Sequence, residues 1–297
     1  MAAKAIAFIN FKGGVGKTAA TVNIGASLAN YQRKRVLIVD LDAQCNSSFW
    51  LLHPHAWQQH IENGKRSTYQ IFQDHMMGTK LFDFEKSVVR GVPRAQVPLI
   101  ANLDLLPASD RLLTIEDRIH QNKYARFFEF LAKDLKPYYK EYDYILFDCP
   151  PNTYSVTKNA LFAADYCVVP YQPDYLSLSG FQMLAKLVDD FNERISGFKN
   201  LKHKASIAAL MVSHYRSGLL VQQQAITDLE VLIADLRSQG LVHGRTTLLE
   251  PYIRYNVRVA ESTNQHVPVC VLDPNSIGAQ DYAAIAKNFD AHFSSLP

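Results

Sequence analysis

With 48% hydrophobic and 20% charged side chains in 297 residues, the chain has ample material for a sizeable core, which excludes a disordered or fibrous protein. Thirty-one Lys and Arg against 28 Asp and Glu leave a formal charge of +3, so any polyanion must be met by a local basic face rather than by the whole surface. Cys45, Cys149, Cys167 and Cys270 form no C-x-x-C pair and indicate neither a disulfide framework nor a zinc site, and no apolar run reaches the roughly 18 to 20 residues that span a bilayer.

Ala5 to Ile9 is a short, continuous apolar run, the pattern of a strand buried on both faces. A helical pattern follows from Thr18 to Asn30, then a second buried run at Val36 to Val39. Residues 50 to 100 lack sustained periodicity and are broken at Pro93 and Pro98, so they read as short helices and loops on the rim. His53 and His55 lie there without a third ligand in register and read as loop histidines. Beyond them come a helix over Lys123 to Leu135, strands at Tyr144 to Phe147 and Tyr166 to Val169, and a helix at Leu178 to Ile195. A strand at Ile207 to Val212 and helices at Leu219 to Leu236 and Ala279 to Phe293 complete the pattern. Buried strands alternating with helices predict an α/β fold: a doubly wound, mostly parallel sheet with helices on both faces, here one domain over 1–297. Ligands of such sheets bind beyond the carboxyl ends of the strands.

One of those ends carries the segment KGGVGKT, Lys12 to Thr18. Gly13, Gly14, Val15 and Gly16 can bring backbone N–H groups up to phosphate oxygens, and the helix that begins near Lys17 offers its positive end to the same anion. Lys17 is placed to neutralise β- and γ-phosphates, and Thr18 to put its hydroxyl on magnesium. Lys12 stands where the ordinary G-x-x-x-x-G-K-[ST] loop has its first glycine. Asp148 closes the apolar run YILFD, a position from which a carboxylate holds magnesium through water.

Together with LIVDLDAQCNSS at Leu37 to Ser48, LDLLPAS at Leu103 to Ser109, YDYILFDCPP at Tyr142 to Pro151 and VVPYQPDYLSLSG at Val168 to Gly180, this loop resembles the deviant Walker A ATPases, in their ParA and Soj branch. YNVRVAES and GAQDYAAIA extend the resemblance towards the end of the chain. It implies a P-loop ATPase that sandwiches two ATP molecules with Mg²⁺ between two protomers, with Lys12 reaching the phosphates of the other subunit. It further implies that Asp42 orients the attacking water, that Asp40 lies near the magnesium shell, and that Ala19 and the stretches around Met211 to Ser213 and Pro251 border the nucleotide. Cys45 replaces the usual glycine and Ala19 a threonine that contacts the α-phosphate, a change that predicts weaker nucleotide binding.

The same resemblance places phosphate-binding arginines of a DNA interface at Arg254 and Arg258, with Arg216 and the run Lys199, Lys202 and Lys204 as further members of one face. Rim contacts of this kind bind DNA without reading its sequence and weaken with salt. The implied partners are a second copy of the chain, non-specific DNA and a ParB-like adaptor that stimulates slow hydrolysis, in a cytoplasmic, nucleoid-associated system that positions a plasmid, chromosome or other large cargo. No membrane partner is expected, because AKNFDAHFSSLP lacks the basic amphipathic pattern of a MinD-like anchor. With the phosphate loop at residue 12, no helix-turn-helix ahead of it is expected. The alternative is a nucleotide switch that docks a protein or membrane partner and never touches DNA.

Overall fold

A computed structural model describes residues 3–64, 66–93, 100–122, 124, 126–199, 201 and 203–297. Pro98, Lys123 and Lys202 fall outside the described residues.

The chain runs β1 (Lys4–Phe8), α1 (Lys17–Tyr31), β2 (Val36–Asp40), α2 (Asn46–Leu51), α3 (Pro54–Gly64), α4 (Thr68–Met77), α5 (Phe84–Ser87) and β3 (Leu103–Leu106). It continues with α6 (Ile115–Asn122), α7 (Phe130–Leu135), β4 (Tyr144–Asp148), α8 (Ser155–Ala163), β5 (Tyr166–Tyr171), α9 (Tyr175–Ser196) and β6 (Ile207–Val212). The last elements are α10 (Leu220–Ser238), β7 (Thr247–Leu249), α11 (Val257–Asn264), α12 (Val269–Leu272) and α13 (Ile277–Ser295).

The strands form one seven-stranded sheet in the order β3-β2-β4-β1-β5-β6-β7, and every pair is parallel. The expected doubly wound α/β architecture is therefore what the chain adopts. Side chains alternate across the sheet: Ala5, Ala7, Leu37, Val39, Ile145 and Phe147 enter one core, and Ile6, Phe8, Val36, Ile38, Tyr144 and Leu146 the other. Helix α13 seals the second core, where Phe289 stacks on Phe8 at 6.2 Å between ring centroids. Removing such a ring from a sealed core costs about 3–5 kcal/mol. Among the described residues no helix is long and apolar enough to cross a membrane.

The continuous helix expected from Lys123 to Leu135 is not formed. Its described part is a 3₁₀ turn, Phe127–Glu129, followed by α7. Phe127, Phe128, Phe130 and Leu131 are all buried, and α-helical spacing turns neighbouring residues to different faces. The tight turn instead lets Phe128 meet Phe162, Phe191 and Phe198. Within 50 to 100, α4 begins at a capping box in which Ser67 and Gln70 satisfy each other's backbone.

Candidate active site

The β1–α1 connection is a glycine loop whose Gly14 and Gly16 take φ of 76° and 82°, left-handed values that favour glycine. Gly16 caps α1 and has no side chain to accept from the helix's first N–H groups, an arrangement suited to an anion. Lys17 is buried, and its Nζ donates to the Lys12 carbonyl at 3.2 Å. Burial pulls the Lys17 ammonium below its ordinary range, while Asp148, Cys149 and Asp42 pull it back up. The lysine thus faces acids from inside the loop.

Those acids come from neighbouring strands. Parallel register sets Asp40 opposite Asp148 at the carboxyl ends of β2 and β4. Both are fully buried, and burial pushes both carboxyl groups well above the usual range. The charge of Asp148 adds to the rise at Asp40, while Ser47 and Thr18 hydroxyls oppose the rise at Asp148. The first turn of α2 clamps the pair: Ser47 Oγ donates to Asp148 Oδ2 at 2.6 Å, and Ser48 donates to Asp40 Oδ2 from Oγ at 2.6 Å and from its amide at 2.8 Å. Asp40 Oδ1 accepts the Asp42 amide at 3.1 Å. Asp148 likewise accepts on both oxygens, from Ser47 at Oδ2 and from Thr21 Oγ1 at Oδ1 at 3.4 Å, and is the acid beside Lys17 and Thr18.

Two buried carboxyl groups side by side, with the Thr18 hydroxyl at Asp148, fit a divalent cation, whose charge offsets the cost of burying them. Among the described residues no group of three or more His, Cys, Asp or Glu could hold a metal ion. A cation here needs phosphate oxygens to complete its shell, which suits magnesium arriving with a nucleotide.

Asp42 is buried, accepts the Gln44 amide at 2.9 Å and lines a cavity of about 330 Å³ with Gln44, Leu113, Glu116, Pro151 and Tyr154. On the other side of the loop, Lys12 Nζ lies 2.5 Å from Asp174 Oδ2 and 3.2 Å from Ser177 Oγ. The two lysines separate, Lys17 inside the loop and Lys12 at its rim.

A second cavity of about 180 Å³ touches Gly16, Ala19, Trp50, Ser213, His214 and Tyr255. Of the residues expected to border the nucleotide, Ala19 and Ser213 line this cavity, and Met211 and Pro251 do not. Met211 is buried in the core beneath α1 and α13, because alternation along β6 turns it to that face.

A model of the AAA domain family matches residues 3–204. Over 293 residues the chain is 31% identical to the sporulation initiation inhibitor protein Soj of Bacillus subtilis, covering 97% of this chain and 99% of Soj. This chain belongs to the ParA and Soj family of P-loop ATPases. It is 28% identical over 284 residues to the chromosome partitioning protein ParA of Caulobacter vibrioides, covering 96% of this chain and 92% of that protein. In fold, this ParA-family chain is similar to cobyrinic acid a,c-diamide synthase of Mycobacterium smegmatis, solved with an ATP analogue and magnesium: TM-score 0.73, 24% identity, 99% of this chain and 96% of that one.

The arginines of this ParA-family chain are not equivalent. Arg254, itself exposed, is bound to the nearly buried Asp281, and Arg216 is exposed with its guanidinium 4.8 Å from the Tyr255 ring centroid. Arg258 is exposed and paired with Glu261 at 2.7 Å and Asp273 at 3.4 Å. In chain order Lys199 and Lys204 precede β6, while Arg216, Arg254 and Arg258 follow the carboxyl ends of β6 and β7.

Sequence reasoning missed Ser47, Ser48 and Asp174. The serines sit in the quoted LIVDLDAQCNSS run, but only the return of α2 onto two strands reveals their partners. Asp174 gave one local signal, an acid three residues before Ser177 at a helix start.

Proposed function

We propose that this chain is a magnesium-dependent ATPase that pairs around ATP, binds DNA non-specifically as the pair, and releases it when an adaptor accelerates hydrolysis. Such a cycle positions a large cargo, in line with the Soj and ParA relatives. The observation that supports it most is the separation of the two lysines. Lys17 is enclosed by its own loop, while the Lys12 side chain is 39% exposed and can serve phosphates held by a second subunit.

In this scheme the Gly13–Gly16 backbone and the start of α1 hold the phosphates, and Lys17 neutralises them. Thr18 and Asp148 would hold magnesium, which when bound would supply charge to the phosphate oxygens; Ser47 and Thr21 hold Asp148 in place, and Ser48 holds Asp40 beside it. Asp42 orients the attacking water. A cation donated from the partner ties association to the γ-phosphate, so hydrolysis loosens the pair. Nucleotide specificity rests on the cavity beside Ala19 and His214.

The second reading, a switch that docks a protein without DNA, draws support from exposed Tyr175, Leu176 and Met183 on α9. Molar mass by light scattering, with phosphate release followed in parallel, tests the main scheme. The mass should double with Mg-ATP and return to that of the monomer with ADP, and Lys17→Ala should show neither doubling nor release. A mass independent of nucleotide contradicts it.

A further inference from the structure

Asp174 caps α9 with one oxygen and binds Lys12 with the other. Its Oδ1 accepts the Ser177 amide and hydroxyl, each at 2.9 Å, which leaves Oδ2 for Lys12 Nζ at 2.5 Å. The backbone beneath is stitched to the same region: Asn10 Oδ1 accepts the Lys12 amide at 3.0 Å, while its Nδ2 donates to the carbonyl of Pro170 in β5 at 2.7 Å. Burial alone raises the Asp174 carboxyl, but the Lys12 and Ser177 bonds outweigh it and hold the group below its usual range. Asp174 is therefore an anion at neutral pH, paired with a lysine from 162 residues away in sequence.

We infer that Asp174 is a positioning residue that parks Lys12 within its own subunit, so that association requires breaking this ion pair first. The inference rests on the proposed role of Lys12 across the pair. A lysine ammonium bound at 2.5 Å to its own helix cap cannot also lie on the phosphates of a second molecule, so the two positions compete for one side chain. The parked position opposes association before ATP is present and recaptures Lys12 after the γ-phosphate leaves. Both partners are about one-third exposed, which places the ion pair in the range of exposed pairs, a factor of about two to five in an equilibrium constant. Two such contacts open per pair, so the factor enters twice, as roughly four to 25.

Asp174→Asn separates charge from structure, because Asn caps a helix about as well as Asp. The dissociation constant of the pair with Mg and a non-hydrolysable ATP analogue is measured by sedimentation, and the melting point is measured without nucleotide. The expected result for Asp174→Asn is association tighter by roughly four- to 25-fold, with a melting point lowered by no more than about 4 °C, the loss of one exposed ion pair. Asp174→Ser, another uncharged cap, replaces it if the Asn protein melts early. Lys12→Ala and Lys12→Ala/Asp174→Asn should both fail to pair. Association that is unchanged or weaker in Asp174→Asn, while Lys12→Ala abolishes it, overturns the parking role alone. Tightening that survives without Lys12 overturns it as well. Lys12→Ala pairing as wild type does overturns instead the role of Lys12 on which the inference stands.

Discussion

Arg254 grips Asp281 through two bonds, Nη2 to Oδ1 at 2.6 Å and Nε to Oδ2 at 3.0 Å, while its backbone amide reaches the same carboxylate at 3.0 Å. The carboxylate belongs to α13 and is only 5% exposed, so the arginine fastens the segment after β7 to the helix that closes the second core.

Removing Arg254 leaves that carboxylate short of its charged partner, and bonds to charged groups are worth roughly 1.5–3 kcal/mol. Arg254→Ala should lose stability of that order in urea unfolding, while Arg216→Ala should change it by less than about 0.5 kcal/mol. Equal, small losses would deny Arg254 its structural role. Charge reversal for testing DNA contact therefore belongs at Arg216 and Arg258.

The clamps on the acid pair should rank by what each leaves unsatisfied. Ser48 Oγ serves both Asp40 and the Ala108 amide, at 2.6 and 2.9 Å, whereas Ser47 Oγ serves Asp148 alone. Each buried group left without its partner costs about 1–3 kcal/mol. Ser48→Ala should therefore unfold at lower urea than Ser47→Ala, and the reverse order would contradict the clamp geometry.

Asp42→Ala should bind ATP and pair but turn over at least about tenfold more slowly, a loss of about 1.4 kcal/mol in transition-state stabilisation. Its pair should outlive that of the wild type. Single-turnover phosphate release checks this, and wild-type turnover would assign the water to another group.

Burial depresses His203; its bond to the Leu161 carbonyl pulls the other way, and Lys136 adds to the depression. The unfolded chain binds this proton more readily, so the contribution of neutral His203 is present above the ordinary pKa of 6.5 and is lost as pH falls through the depressed value. Asp40, Asp148 and Asp165, all raised by burial, titrate in the opposite sense, so the comparison must be between proteins. His203→Gln keeps a donor for Leu161 without the titration. Its stability relative to wild type should improve between pH 7.5 and 5.5, and a pH-independent difference would show that His203 carries no such linkage.

Five strands were legible because each is a continuous apolar run buried on both faces, and Ile207 to Val212 matches its strand residue for residue. β3 was hidden by Asp104, whose charge is absorbed by Arg90 and the Tyr142 hydroxyl, partners no local pattern announces. β7 is a three-residue edge strand, too short for a period. The phosphate loop was legible because glycine, lysine and threonine must be contiguous to surround a phosphate. Asp174 and the serine clamps were not, because strand register and helix return bring their partners from up to 162 residues away. Cys45 shows the two levels together: it occupies the expected glycine position and keeps the left-handed φ of 56° that glycine would favour.

The central claim is that ATP switches DNA binding on. Fluorescence anisotropy of a labelled duplex of unrelated sequence, read with Mg-ATP, Mg-ADP or no nucleotide over a salt series, tests it most directly. Binding should appear only with ATP and be indifferent to sequence. Its log affinity should fall linearly with log salt, at about −0.9 per phosphate neutralised. Binding that is the same with ADP, or absent with ATP at every salt concentration, would contradict the account and leave the protein-docking switch.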